Sequence, residues 1–171
     1  MAGSAEVDPA LVRAAQRGDP MALGELMELL APYVGRICGP IALQDGPDAA
    51  QEALIIILRG IRGLKEPAAL FGWARVIAAR EAVRIARRTA RVSAMPAEEI
   101  RAPGDPELAV DIRDTLARLT PEHRAVLMLR DLEGLDEAEA GRILSVPPGT
   151  VRSRLFRARR GFRRAWEGGH D

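Results

Sequence analysis

The stretch Asp136-Glu-Ala-Glu-Ala-Gly-Arg-Ile-Leu-Ser-Val-Pro-Pro-Gly-Thr-Val-Arg-Ser-Arg-Leu-Phe-Arg-Ala-Arg-Arg160 decides the fold. Asp136 and Glu139 have the spacing of a capping box, in which each side chain satisfies an amide that a first helical turn leaves open. A short helix to Leu144 follows, and Ser145-Val-Pro147 interrupts it. Pro148 then opens a second helix whose apolar positions Val151, Leu155, Ala158, Phe162 and Trp166 share one face. Two helices joined by so short a turn predict a helix-turn-helix, the arrangement that lays its second helix in the major groove of DNA. Gly149 and Thr150 at the start of that helix offer backbone N–H groups and a hydroxyl to a phosphate.

The same punctuation extends through the chain. Asp8-Pro9, Asp19-Pro20, Asp105-Pro106 and Thr120-Pro121 each place a capping oxygen before a proline, which is tolerated at the first helical position because its missing N–H has no partner there anyway. No alternating β-branched run and no Asn-Gly turn is present, so the expectation is all-α. Leu23, Leu26, Met27, Leu30, Val34, Ile37 and Ile41 form the stripe of an amphipathic helix, which Pro32 is expected to bend or break, with a turn at Gln44–Pro47. Periodicity lapses between Thr89 and Pro106. The chain therefore reads as two small helical domains, 8–91 and 106–167, joined by a flexible linker at 92–105.

Composition narrows the function. The 171 residues carry 25 basic and 24 acidic side chains, a net charge of +1 that by itself speaks against nucleic acid. Read by segment, the average dissolves: Met1–Gly60 holds eight acids against four arginines, Arg75–Arg91 six arginines against Glu81 alone, and Pro148–Trp166 seven arginines and no acid. All but Lys65 of the basic residues are arginine, whose planar fork suits phosphates and base edges. Seven arginines on one helix without an acidic partner one turn away would be uncompensated repulsion if that helix were merely a solvated edge. Cys38 stands alone, so no internal disulfide forms, and no metal-ligand spacing or nucleophile–base pair is legible. No cofactor and no enzymatic activity are expected. The longest apolar run, Ala53–Leu58, falls short of a membrane span, and the expected location is the cytoplasm.

Pro148–Arg160 resembles the recognition helix of the extracytoplasmic-function (ECF) sigma factors, and Leu119-Thr-Pro-Glu-His-Arg-Ala-Val-Leu-Met-Leu129 resembles the preceding helix of their region 4. The resemblance implies that Arg152, Ser153, Phe156 and Arg157, with Gly149, Thr150 and Arg154 beside them, meet the −35 promoter element. Arginine reads guanine through two parallel hydrogen bonds, worth about 1–3 kcal/mol of discrimination. This chain departs from the family at Ala140-Gly141, usually Ile-Ala, and at Ser145, usually Gly.

Upstream, Asp48-Ala-Ala-Gln-Glu52 and the apolar run after it resemble the family's region 2 helix that docks on the β′ clamp helices of RNA polymerase. At about 100° per residue, Ala50, Leu54, Ile57, Leu58 and Ile61 form an expected core stripe, and Asp48, Gln51, Glu52, Ile55 and Arg59 gather opposite it. That second face is either a docking surface or a solvated face with one stray isoleucine. Leu70-Phe-Gly-Trp-Ala-Arg-Val-Ile-Ala-Ala-Arg80 resembles the helix that handles the −10 element. Its expected core residues are Phe71, Ala74, Ala78, Ala82 and Ile85, and its basic side carries Trp73, Arg80, Arg84, Arg87 and Arg91. Trp73 is either a stacking platform for an unpaired base or the edge of the core. Arg80 and Arg84 stand where the family commonly has Asn and Asp. The loop Gly60–Ala69, with Arg62 and Lys65, matches by position the segment with which related proteins hold a flipped base.

Implied partners are core RNA polymerase, through the β′ clamp helices and the β flap, promoter DNA, and an anti-sigma factor of the kind that commonly restrains relatives. The competing reading is a polymerase-independent helix-turn-helix regulator. It would share the recognition helix but has no need of the Asp48–Arg59 face.

Overall fold

The computed structural model describes residues 7–92 and 106–168, the side chains of residues 106, 107 and 109 excepted. Eight α-helices and no strand occur among them. In chain order these are α1 (Pro9–Gln16), α2 (Pro20–Ala42), α3 (Gly46–Gly60), α4 (Leu70–Val92), α5 (Pro106–Ala117), α6 (Pro121–Leu127), α7 (Glu137–Leu144) and α8 (Pro148–Glu167). Three of the four proline-led starts carry the expected caps. Asp8 accepts from the Ala10 amide, Asp19 from Met21 and Ala22, and Thr120 from His123. Asp105 and residues 93–105 of the expected linker lie outside the described residues; Val92 ends α4.

Pro32 does not break α2, which runs through both Pro32 and Pro40. An internal proline costs about 3 kcal/mol. Leu26, Leu30, Val34, Ile37 and Ile41, all fully buried on one face, outweigh it at about 1.5–3 kcal/mol each. After a 3₁₀ turn at Leu43–Asp45, α3 crosses α2 at backbone contact, since a Cβ on Gly46 would sit 2.9 Å from the Gly39 Cα.

The α3 stripe is rotated from the expected one. Ala49, Ala53, Ile57 and Ile61 are buried, Ala50 and Leu54 half-buried, and Leu58 is exposed. Small side chains point inward because α3 packs closely against both α2 and α4. On α4, Ala74, Ala78 and Ala82 are buried as expected, joined by Leu70, Ala79, Val83 and Ala86, whereas Phe71 and Ile85 are only half-buried. The α4 stripe is wide because α2 and α3 cover one flank while α6 and α7 cover another.

The C-terminal helices close on Leu119, Ala125, Val126, Leu129, Ala140, Ile143, Val151, Leu155 and Ala158. Phe162 and Trp166 are half-buried and stack on each other at 6.2 Å between ring centroids. Helix α6 runs into a π-turn at Met128–Leu132, where the Glu133 amide reaches back to the Met128 carbonyl. By length and composition the stretch Pro20–Gly63 is apolar enough to cross a membrane. Here it is divided between α2 and α3, and its largest side chains supply the core that they share with α4.

Candidate nucleic-acid and polymerase interfaces

The helix-turn-helix is built as its sequence dictates. Asp136 accepts from the Glu139 amide at 2.7 Å, and Glu139 accepts from the Asp136 amide at 2.9 Å. The turn requires Gly141, because an added Cβ would stand 2.7 Å from the Val146 carbonyl oxygen. Ser145 ends α7 in the left-handed region at φ 56°, where a glycine would be relaxed. The departure at Ser145 is thus accommodated with local strain, and the one at Gly141 is a steric necessity of this turn.

Burial of Val151, Leu155 and Ala158 turns the opposite side of α8 outward. Phe156 is 69% exposed, and Gly149, Arg152, Ser153 and Arg157 are also exposed. Thr150 and Arg154 are half-buried. No side chain caps the start of α8, so its amide end faces solvent. Glu137 grips Arg152 through Nε at 3.0 Å and Nη2 at 2.8 Å, which holds the Glu137 carboxyl below its ordinary pKa. That grip uses one edge of the guanidinium and leaves another to read a base. The Ser153 hydroxyl donates to the Thr150 carbonyl. Glycine, hydroxyl, aromatic ring and arginine thus share one accessible face.

The arginines of α4 are placed differently from the expected free basic side. Arg80 donates from Nε to the Ile143 carbonyl at 2.9 Å and from Nη2 to the Arg142 carbonyl at 3.1 Å, capping the end of α7. Arg87 pairs with Glu122 at 2.5 Å, and Arg84 with Glu81 on its own helix at 2.7 Å. Arg80, Arg84, Arg87, Arg88, Arg91 and Arg154 line one cleft of about 550 Å³ between α4 and the helix-turn-helix. Trp73 is half-buried and lies over Gly60, where an added Cβ would meet its ring at 3.0 Å. It occupies the core edge. Arg62 and Lys65 are exposed on a loop that the Gln16 side chain holds by donating to the Ile61 and Leu64 carbonyls at 3.0 and 2.6 Å.

On α3, Asp48, Gln51, Glu52 and Arg59 are exposed and Ile55 is half-buried. Ile56 and Leu58 are exposed beside them, which makes the face more apolar than its sequence reading. Such a face, apolar patches rimmed by charge, suits a protein partner.

Sequence reasoning missed the residues that join the two halves. Arg124 is 7% exposed and donates from Nε to the Ile41 carbonyl at 2.7 Å and from Nη1 to the Leu119 carbonyl at 2.7 Å. It thereby caps the end of α2 from α6, and burial pulls its pKa down to about 10, so it is still charged at neutral pH. Its visible signal was a cation at the head of the apolar run Ala125–Leu129. Glu133 accepts from the Tyr33 hydroxyl at 3.1 Å and pairs with Arg75 at 3.4 Å. Burial, with Glu133 adding to it, pushes the Tyr33 pKa up to about 12. Nothing in the sequence marks these residues as neighbours. Cys38 is buried, and burial drives its thiol up to about 12, far from the thiolate range. Among the described residues no group of three His, Cys, Asp or Glu side chains is placed to hold a metal.

A family model described as Sigma-70, region 4 matches residues 109–160. The chain is 34% identical over 131 residues to the ECF RNA polymerase sigma factor SigE of Mycolicibacterium smegmatis, a match covering 70% of this chain and 51% of that relative. It is 33% identical over 175 residues to the ECF RNA polymerase sigma-E factor of Escherichia coli, covering 89% of this chain and 90% of that one. Its fold is similar to that of the sigma factor RpoE of Bartonella quintana, solved in complex with the anti-sigma factor NepR. That likeness has a TM-score of 0.67 at 18% identity and covers 84% of this chain and 96% of the other.

Proposed function

The chain belongs to the ECF RNA polymerase sigma factor family, and on that premise we propose how its residues divide the work of promoter recognition. It is a sigma factor: it binds core RNA polymerase and directs promoter-specific initiation, acting in the cytoplasm and catalysing no reaction of its own. In this reading residues 8–91 form region 2, residues 106–167 form region 4, and residues 92–105 tether them.

Helix α8 reads the −35 element. Arg152 and Arg157 address base edges, Phe156 makes apolar contact, and Gly149, Thr150, Ser153 and Arg154 position the helix on phosphates. The observation that carries this reading is the exposed face of α8, where Phe156 and Arg157 stand outward on a helix fixed by a complete capping box. Asp48, Gln51, Glu52, Ile55 and Arg59 dock on the β′ clamp helices, and the β flap meets region 4. The carboxylates set register and encounter rate there. Arg80, Arg84 and Arg87 track the opened −10 strand, with Arg62 and Lys65 on the adjoining loop. The half-buried Trp73 offers it an edge rather than a free stacking platform. A relative solved with an anti-sigma factor supports the same kind of partner for this chain.

Competition for core polymerase against a labelled sigma factor tests the docking face. Asp48→Ala with Glu52→Ala is expected to weaken competition about tenfold, as loss of interfacial charge pairs does. Unchanged affinity in that variant would remove α3 from the interface.

A further inference from the structure

Four bonded clusters fasten the C-terminal helices to the N-terminal ones, and each uses a charged side chain. The Arg124 guanidinium holds the Ile41 carbonyl at the end of α2. Glu133, with its side chain only 5% exposed, holds Tyr33 and Arg75. Arg80 holds the last carbonyls of α7, and Arg87 holds Glu122 on α6. We propose that these contacts are an intramolecular latch, which keeps the free chain able to dock on polymerase but unable to grip the −10 strand.

The asymmetry lies in which surfaces the latch uses. Arg80 and Arg87, two of the arginines assigned to the opened strand, are spent on carbonyls and a carboxylate of the C-terminal half. Their neighbours Arg84, Arg88 and Arg91 line a cleft of about 550 Å³ with Arg154 of the recognition helix. A B-form duplex is wider than such a cleft, and the two DNA-reading helices face one another across it. The acidic face of α3 is untouched by these bonds: Asp48, Gln51, Glu52 and Arg59 remain exposed. Polymerase can therefore engage the closed chain first, and separation of the halves then releases the arginines.

The latch is built to open. Besides shared apolar packing it relies on helix-end carbonyls and ion pairs, groups that water or a partner's charges can satisfy in turn, and the Arg87–Glu122 and Arg80 contacts lie at the rim. Arg124 and Glu133 are its desolvated centre, where removing one partner strands the other. The proposal rests on the assignment of α3 to polymerase and of the α4 arginines to DNA.

The test uses the full chain carrying dyes at Glu28→Cys and Ala138→Cys, both exposed positions, one in each half. Cys38 is buried and stays unlabelled. The unaltered latch is expected to give high energy transfer that drops when core polymerase is added. Glu122→Gln with Glu133→Gln is expected to lower transfer without polymerase. It should also raise affinity for a single-stranded −10 oligonucleotide about tenfold, the worth of one charge-assisted contact regained. If that pair loses helical circular dichroism, Arg75→Gln with Glu122→Gln replaces it, and the polymerase arm needs no variant. Transfer that is low in the free chain, or that polymerase leaves unchanged, overturns the latch. Transfer that falls in the variant with no gain in oligonucleotide affinity upholds the latch and removes Arg80 and Arg87 from the −10 assignment.

Discussion

The two arginine-rich helices, α4 and α8, share a composition and differ in what their arginines meet. On α8 burial of Val151, Leu155 and Ala158 leaves Arg152 and Arg157 facing solvent, with Phe156 between them. On α4 the inward face is alanine, Ala74, Ala78, Ala79, Ala82 and Ala86, so neighbours approach closely and cover more of its circumference. Arg80 and Arg87 then meet carbonyls and a carboxylate of the other half. A basic stripe thus announces an appetite for negative charge without specifying its source. What lies opposite, solvent or a helix end, decides whether the arginine is available to DNA.

Three perturbations break or sharpen that contrast. Gly141→Val has the largest effect. The added side chain meets the Val146 carbonyl, so the turn before α8 cannot close, and destabilisation of about 3 kcal/mol or more is expected. The −35 footprint should vanish in the assembled polymerase while α3 still binds core, and a footprint of full strength would mean that α8 is not held by this turn. Arg157→Ala comes next, with weakening of −35 binding by about 1–3 kcal/mol at one base position and unchanged thermal stability. Equal loss on every sequence would reassign Arg157 to phosphate contact.

The smallest effect is a pH dependence at the junction of the halves. Burial lowers the pKa of His123, with Arg154 and Arg157 adding to burial and Glu122 opposing it. An imidazole with a depressed folded pKa stabilises the fold fully above its ordinary value of 6.5, and that stability is lost as pH falls below it. Glu122, where burial raises the pKa but the Arg87 hydrogen bond prevails and lowers it, loses its contribution in the same direction, below 4.5. Melting temperature should therefore fall modestly between pH 7.5 and 5.5, and His123→Gln should flatten that slope. A slope unchanged by the substitution would place its origin elsewhere.

Local signals were legible because they act over a few residues. Asp8, Asp19, Thr120 and Asp136 cap where their spacing says, and the break at Ser145 and restart at Pro148 follow from backbone preference. The phase of α3 was legible only to within one position, because Ala49 and Ala53 look no more buried in sequence than Ala50, and two facing helices choose between them. Pro32 looked like a break because its local cost is plain and the five fully buried side chains that overcome it are a tertiary fact. The bonds from Arg124 to Ile41 and from Glu133 to Tyr33 were illegible for the same reason, since each joins residues far apart in the chain. The candidate site was legible on α8, which faces water, and misleading on α4, which faces the rest of the protein.

The most direct test of the central claim is transcript start mapping with purified chain and bacterial core polymerase on fragmented genomic template. The account predicts new starts that appear only with the chain and share two sequence blocks at fixed separation, the upstream block losing its consensus at one position with Arg157→Ala. Duplex binding by the chain alone, with no core binding and no new starts, would contradict it and establish a polymerase-independent regulator.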